Sequence, residues 1–82
     1  KLQVKDICCI TKNGNDLEVT TINNSKYYRK DSIYNIINEL PQNYFKIINR
    51  SCIVNISKIY WVDKSTVRLP NGEVLKVTEK FK

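Results

Sequence analysis

Both glycines of this chain follow an asparagine: Asn13-Gly14 and Asn71-Gly72. Asn-Gly is the strongest short hairpin signal, because both residues tolerate positive φ. Each pair is flanked by β-forming runs. "VKDICCI", ending at Ile10, is apolar nearly throughout and reads as a strand buried on both faces. "LEVTTI", residues 17–22, alternates and should return antiparallel to it. "STVRL", 65–69, and "EVLKV", 73–77, flank the second turn, "PNG". Further short strands are expected in "KYYR" (26–29), "YFKII" (44–48), "CIVNI" (52–56) and "KIYWV" (58–62). Turns recur about every ten residues, which suits a small antiparallel fold rather than a parallel sheet.

The period changes once. Ile33, Ile36, Ile37 and Leu40 lie at i, i+3, i+4 and i+7, one apolar face of a short helix near residues 32–40. Asp31 or Ser32 can cap its start, and Pro41 stops it. Isolated, so short a helix is unstable in water, so it must pack on a sheet. Its other face carries Tyr34, Asn35, Asn38 and Glu39, with no cation, and makes a poor groove-reading helix. The fold class is therefore mostly β with one short α-helix. At 82 residues, 1–82 is one domain.

Chemistry narrows the function by what is missing. There is no histidine, so Ser-His-Asp and Cys-His arrangements are excluded, along with the usual general base. Neither glycine belongs to a phosphate-binding loop. No catalytic residue is assigned and an enzyme is not expected. Cys8, Cys9 and Cys52 are odd in number and lack the spacing of a zinc site, so no metal or other cofactor is expected. They read as free, buried thiols of a reducing compartment, although Arg50, two residues away, could lower the pKa of Cys52. No apolar run reaches the length of a membrane span, so no membrane partner is expected.

What remains is charge. Fourteen Lys and Arg face eight Asp and Glu, a net charge of +6 that favours a polyanionic partner. Many cations lie in or beside turns and can project from strand ends. Lysines also guard sheet edges against aggregation, the role expected of Lys26 and Lys64. "NRSCIVN", residues 49–55, sets Arg50 and Ser51 before a buried strand and Asn55 after it. Asn55 is expected to tie backbone across a bend.

These residues resemble a known family. Leu40, Phe45, Arg50, Ser51, Val54, Asn55 and Ile59 match in order and spacing the LytTR DNA-binding domain of bacterial transcription regulators. Asn71, Gly72, Leu75 and Val77 match its late hairpin. "DICCI", followed by Gly14-Asn15, and the helix start at 27–40 extend the resemblance over nearly the whole chain. Asn49, Cys52 and Lys46 stand for the usual histidine, tyrosine and arginine, and Thr78 for a terminal serine. The resemblance implies elongated, small antiparallel sheets whose loops, not a recognition helix, enter successive major grooves.

By family position, three segments would meet double-stranded DNA: the first loop (Asn13, Asn15, Asp16), the turn of Asn49, Arg50 and Ser51, and the C-terminal segment (Thr78, Lys80). Asn13 and Asn15 suit adenine edges, Asp16 can accept from cytosine, Arg50 suits phosphate or the minor groove, and Ser51 suits phosphate. Lys12, Lys46, Lys58, Arg68 and Lys76 would be positioning contacts. The implied setting is the output domain of a cytoplasmic response regulator. An upstream receiver or sensor domain would lie in the same protein, with binding as a homodimer on direct repeats and no small-molecule substrate. The alternative is a basic β module for single-stranded RNA or an acidic protein. That reading needs exposed aromatic platforms, and most of Tyr27, Tyr28, Tyr44, Tyr60 and Trp61 are expected in the core, with only one of each adjacent pair facing out.

Overall fold

In a computed structural model the described residues are 4–59, 61–63, 65–70 and 72–78. The first hairpin joins β1 (Ile7–Asn13) to β2 (Asp16–Thr21). Asn13 pairs with Asp16, so the two-residue loop is Gly14-Asn15 rather than Asn13-Gly14. Gly14 has φ +66°, and glycine is favoured at the first loop position because it reaches that region without steric cost. The next turn uses Asn24 at φ 64° and leads to β3 (Lys26–Lys30).

The short helix follows as α1 (Ile33–Ile36), tightening into a 3-10 turn over Ile37–Glu39. Ser32 is the N-cap, and Asp31 braces it from before the helix. The Ser32 hydroxyl accepts from the Asn35 N–H at 3.1 Å, and the Asp31 carboxylate accepts from the Ser32 N–H at 2.8 Å. Next come β4 (Phe45–Asn49) and β5 (Cys52–Asn55), then a 3-10 turn at Ile56–Lys58. The chain continues through β6 (Trp61–Val62), β7 (Thr66–Arg68) and β8 (Val74–Lys76).

Five strands form one antiparallel sheet in the order β3-β2-β1-β5-β4, and β6-β7-β8 form a second. The larger sheet is covered on both faces. On one, Ile10, Leu17, Val19, Phe45 and Ile53 pack with Ile33, Ile36 and Leu40 of the helical segment. On the other, Cys9, Ile48, Cys52 and Val54 pack with Val67 and Leu69 from the smaller sheet. Ile10 and Ile53 face each other in register and are fully buried. Each contributes about 1.5–3 kcal/mol by leaving water. β1 carries a register irregularity between Ile7 and Cys9, and because both faces of the sheet are covered, Ile7, Cys8, Cys9 and Ile10 are all buried. The molecule measures 33 Å along its long axis against 25 and 24 Å across, a modest elongation.

Asn55 is buried and structural. Its amide donates to the Ile7 carbonyl at 2.9 Å, and its oxygen accepts the Ser57 N–H and O–H. The aromatic expectation needs correction. Tyr27, Tyr28 and Tyr44 are exposed, not in the core, and both members of the Tyr27-Tyr28 pair face solvent. β3 is an edge strand, and short covering elements leave its two faces open. Tyr60 and the Trp61 side chain lie outside what is described, as does Lys64. Lys26 does sit on an edge strand, yet its ammonium also bonds Thr20, Glu18 and Glu73 at 3.1–3.4 Å, linking the two sheets.

Candidate nucleic-acid interface

Antiparallel pairing decides which turns are neighbours. β1 pairs with β5 so that Thr11 faces Cys52, and the Lys12 N–H donates to the Ser51 carbonyl at 2.7 Å. The Gly14-Asn15 loop and the Arg50-Ser51 turn therefore share one end of the large sheet. Asp16 pairs with Lys30, which brings the end of β3 there too. The Lys12 ammonium reaches the Asp31 carbonyl at 3.3 Å across that end.

The C-terminal segment joins by two contacts across the sheets. The Asn49 amide donates to the Lys76 carbonyl at 2.7 Å, and the Thr78 N–H donates to the Ile48 carbonyl at 3.0 Å. The Asn49 oxygen accepts the Ser51 N–H at 2.8 Å, which shapes the turn that carries Arg50. Both ends of the Asn49 amide are thus engaged in the scaffold. These two bonds fix the positions of the Arg50-Ser51 turn and of the C-terminal segment relative to each other.

Lys12, Asn13, Asn15, Asp16, Asn49, Arg50, Ser51, Lys76 and Thr78 thus meet at one end. The side chains of Asn13, Asn15, Arg50 and Ser51 have no hydrogen-bond partner among the described residues, and Asn13, Asn15, Arg50 and Ser51 are all exposed. Lys46 is exposed on β4 at the level of Val54, one residue pair short of the far end, where Phe45 faces Asn55. Lys80 lies outside the described residues.

Lys58 and Arg68, also expected as positioning contacts, stand away from the tips. Lys58 follows β5 at the opposite end of the sheet, a strand of four residues away from the turn, or roughly 13 Å. Arg68 pairs with Val74 next to the closed end of the late hairpin. Glu73 of that hairpin bonds Lys26, which stands at the start of β3, far from Lys30. Antiparallel chain reversal sends these two cations away from the tips.

Lys30 was missed from sequence. It is exposed and paired with Asp16, so it adds a cation to the tip cluster. The signal was there in the strand length: a strand covering 26–30 and returning against β2 must end level with the first loop. Arg29, its neighbour, is occupied by Asp31 and Glu39 at 3.1 and 3.2 Å. The Asp31 carboxyl is held below its usual range, chiefly by the Ser32 N–H, with help from Asn35 and the charges of Arg29 and Lys12.

The cysteines offer no chemistry at this end. All three are free and buried. Burial raises the Cys52 pKa despite a hydrogen bond with Asn49, in line with a packing role rather than a thiol activated by Arg50. Burial pushes Cys9 up to about 12. Among the described residues no group of acidic, cysteine or histidine side chains is arranged to hold a metal ion. No helix of the described residues is long and apolar enough to cross a membrane.

Comparison with known proteins gives the family and the fold. A family model described as the LytTr DNA-binding domain matches residues 1–82. Among solved structures, one match is the LytTr DNA-binding domain of a Bacillus cereus chain described as a methyl-accepting/DNA response regulator. Its TM-score is 0.87 at 21% identity, covering 98% of this chain and 77% of that one. No curated protein matches.

Proposed function

This chain belongs to the LytTr DNA-binding domain family, and from that premise we propose that it reads duplex DNA sequence-specifically with the tips at one end of its large sheet. DNA binding in transcription regulation is what membership brings; the residue roles are our own reading. Asn13 and Asn15 meet base edges in a major groove, where a side chain that both donates and accepts suits adenine. Asp16 accepts from cytosine. Arg50 and Ser51 engage the phosphate chain. Lys12, Lys30 and Lys76 hold the register by charge at the tips, Lys46 adds to the field from further back along β4, and Thr78 and Lys80 extend the contact along the strand. Lys58 and Arg68 are left out, because they stand at the other end.

The observation that carries this reading is the convergence of four chain segments, with unpartnered polar tips, on one end of a rigid sheet. Loops positioned by a stiff scaffold recognise partners at low ordering cost. In keeping with the family's habit, the domain acts as the output part of a cytoplasmic regulator. A receiver or sensor domain accompanies it, and it binds as a homodimer on direct repeats.

The exposed tyrosines favour, at first sight, a single-strand reader. Their surroundings argue otherwise. The Tyr28 hydroxyl donates to Glu18 at 3.4 Å, and Tyr27 lines a cleft with Glu39. Glu18 is paired with Lys26 and Glu39 with Arg29, so the rings stand among closed ion pairs rather than along a free cationic groove that would track a phosphate chain. Selection of bound sequences from a random duplex pool, followed by competition with the matching single strands, tests the assignment. A defined duplex motif is expected. Affinity should fall with salt at a slope near −0.9 per phosphate neutralised, with about five contacts. Preference for the single strand overturns it.

A further inference from the structure

A cleft of about 370 Å³ opens at the end of the large sheet remote from the tips. Its walls are apolar: Val4 before β1, then Pro41, Tyr44 and Phe45 on the approach to β4. Lys5 and Lys58 also line it. Lys5 is exposed and Lys58 is half-buried, and neither is paired with a carboxylate among the described residues. Asp6, the acid next in sequence to Lys5, bridges to neither.

The polar groups of the floor are already spent. Asn55 donates to Ile7 and accepts twice from Ser57, whose hydroxyl proton points inward at 2.7 Å. Two ammonium groups beside an apolar hollow are left, and the half-buried one lacks a described counter-charge. The Lys58 charge reaches into the sheet far enough to oppose, in part, the rise that burial imposes on the Cys8 thiol. Two positive charges lining one cleft, with no described carboxylate on either, favour an anion beside them.

We propose that this cleft is a binding site for a small organic carboxylate with an apolar body. The carboxylate sits between Lys5 and Lys58, and the body rests on Tyr44, Pro41 and Val4. Bare phosphate or sulfate would leave those walls unused, and the walls are what separate this site from the exposed lysines elsewhere. The volume falls at the lower end of small-ligand pockets, and a duplex about 20 Å wide cannot enter it. The site does not depend on how DNA is read, since none of its residues belongs to the tips.

The test is an amide NMR titration of the chain with phenylacetate, with 2-phenylethanol and sulfate as the uncharged and the purely ionic controls. Saturable shifts are expected at Lys5, Tyr44, Ser57 and Lys58, with Asn13, Asn15 and Arg50 unmoved. Lys58→Gln and Lys5→Gln should each weaken binding about fivefold, while Lys58→Arg retains it. Either control saturating the same amides as tightly as phenylacetate overturns the proposal. So do shifts that stay linear or spread over all lysines, and so does undiminished affinity in Lys58→Gln. The melting temperature of each variant separates a lost site from a lost fold.

Discussion

The side-chain amide of Asn49 donates to the backbone carbonyl of Lys76 at 2.7 Å, across 27 positions of sequence. One residue thereby fastens the turn that carries Arg50 to the C-terminal segment that carries Thr78. Replacing it with alanine removes that bond and the one to the Ser51 N–H. Asn49→Ala should cost about 1–3 kcal/mol of stability and weaken DNA binding, with the salt slope unchanged because no phosphate contact is removed. Urea unfolding and a salt-dependent binding series check the two halves of this expectation. A reduced slope would mean that Asn49 itself acts at the phosphate chain.

Arg50 is exposed and has no described partner, so its removal should leave the fold intact. Arg50→Ala is expected to cost on the order of 1–3 kcal/mol in duplex affinity and to lower the salt slope by about one. The melting temperature should not move. Isothermal titration at several salt concentrations measures both quantities.

Lys58→Ala and Arg68→Ala serve as the contrast. Both residues stand at the far end, so affinity for a selected duplex should stay within about twofold of the parent. Lys12→Ala, at the tips, should fall well outside that range. Equal losses in all three would show that the duplex runs along the length of the sheet.

Stability should depend on pH mainly at the extremes. With no histidine, no side chain of ordinary pKa changes charge near neutrality. Asp31 has a lowered pKa in the fold, so its contribution is present above the unfolded value and is lost as pH falls through the folded one. On the alkaline side the signs agree. Cys9 stays protonated to about 12 in the fold, whereas an unfolded thiol ionises near its ordinary value of 9.0. Unfolding thus gains ground as pH rises between those values. For Lys26, burial pulls the pKa down, but bonds and charges from Glu18 and Glu73 outweigh it and leave it raised. Its contribution is likewise lost as pH climbs through the folded value. Melting curves should be level from about pH 5 to 8 and decline on both sides.

The same burial makes the thiols unreactive. Iodoacetamide at pH 8 should label Cys8, Cys9 and Cys52 only as fast as the chain opens, and urea should speed all three together. Rapid native labelling of Cys52 would show that Arg50 activates it after all.

Local chemistry alone determined much of this protein. The Asn-Gly turns, the alternating runs and the i, i+3, i+4 spacing of Ile33, Ile36 and Ile37 depend on the conformations of a few adjacent residues, so they were legible along the chain. The absence of histidine removed whole classes of catalysis by the same token. What the tertiary structure decided was which of these pieces meet. Arg50 and Lys58 are eight residues apart in sequence and stand at opposite ends of one strand, and Asn49 and Lys76 are distant in sequence and touch. Strand order and antiparallel direction set those pairings, and they follow from how two apolar faces are covered at once, a property of the assembled sheets and not of any segment. The exposure of Tyr27 and Tyr28 was hidden for the same reason: a tyrosine suits a central strand and an edge strand equally well, and only the packed molecule shows that β3 is an edge.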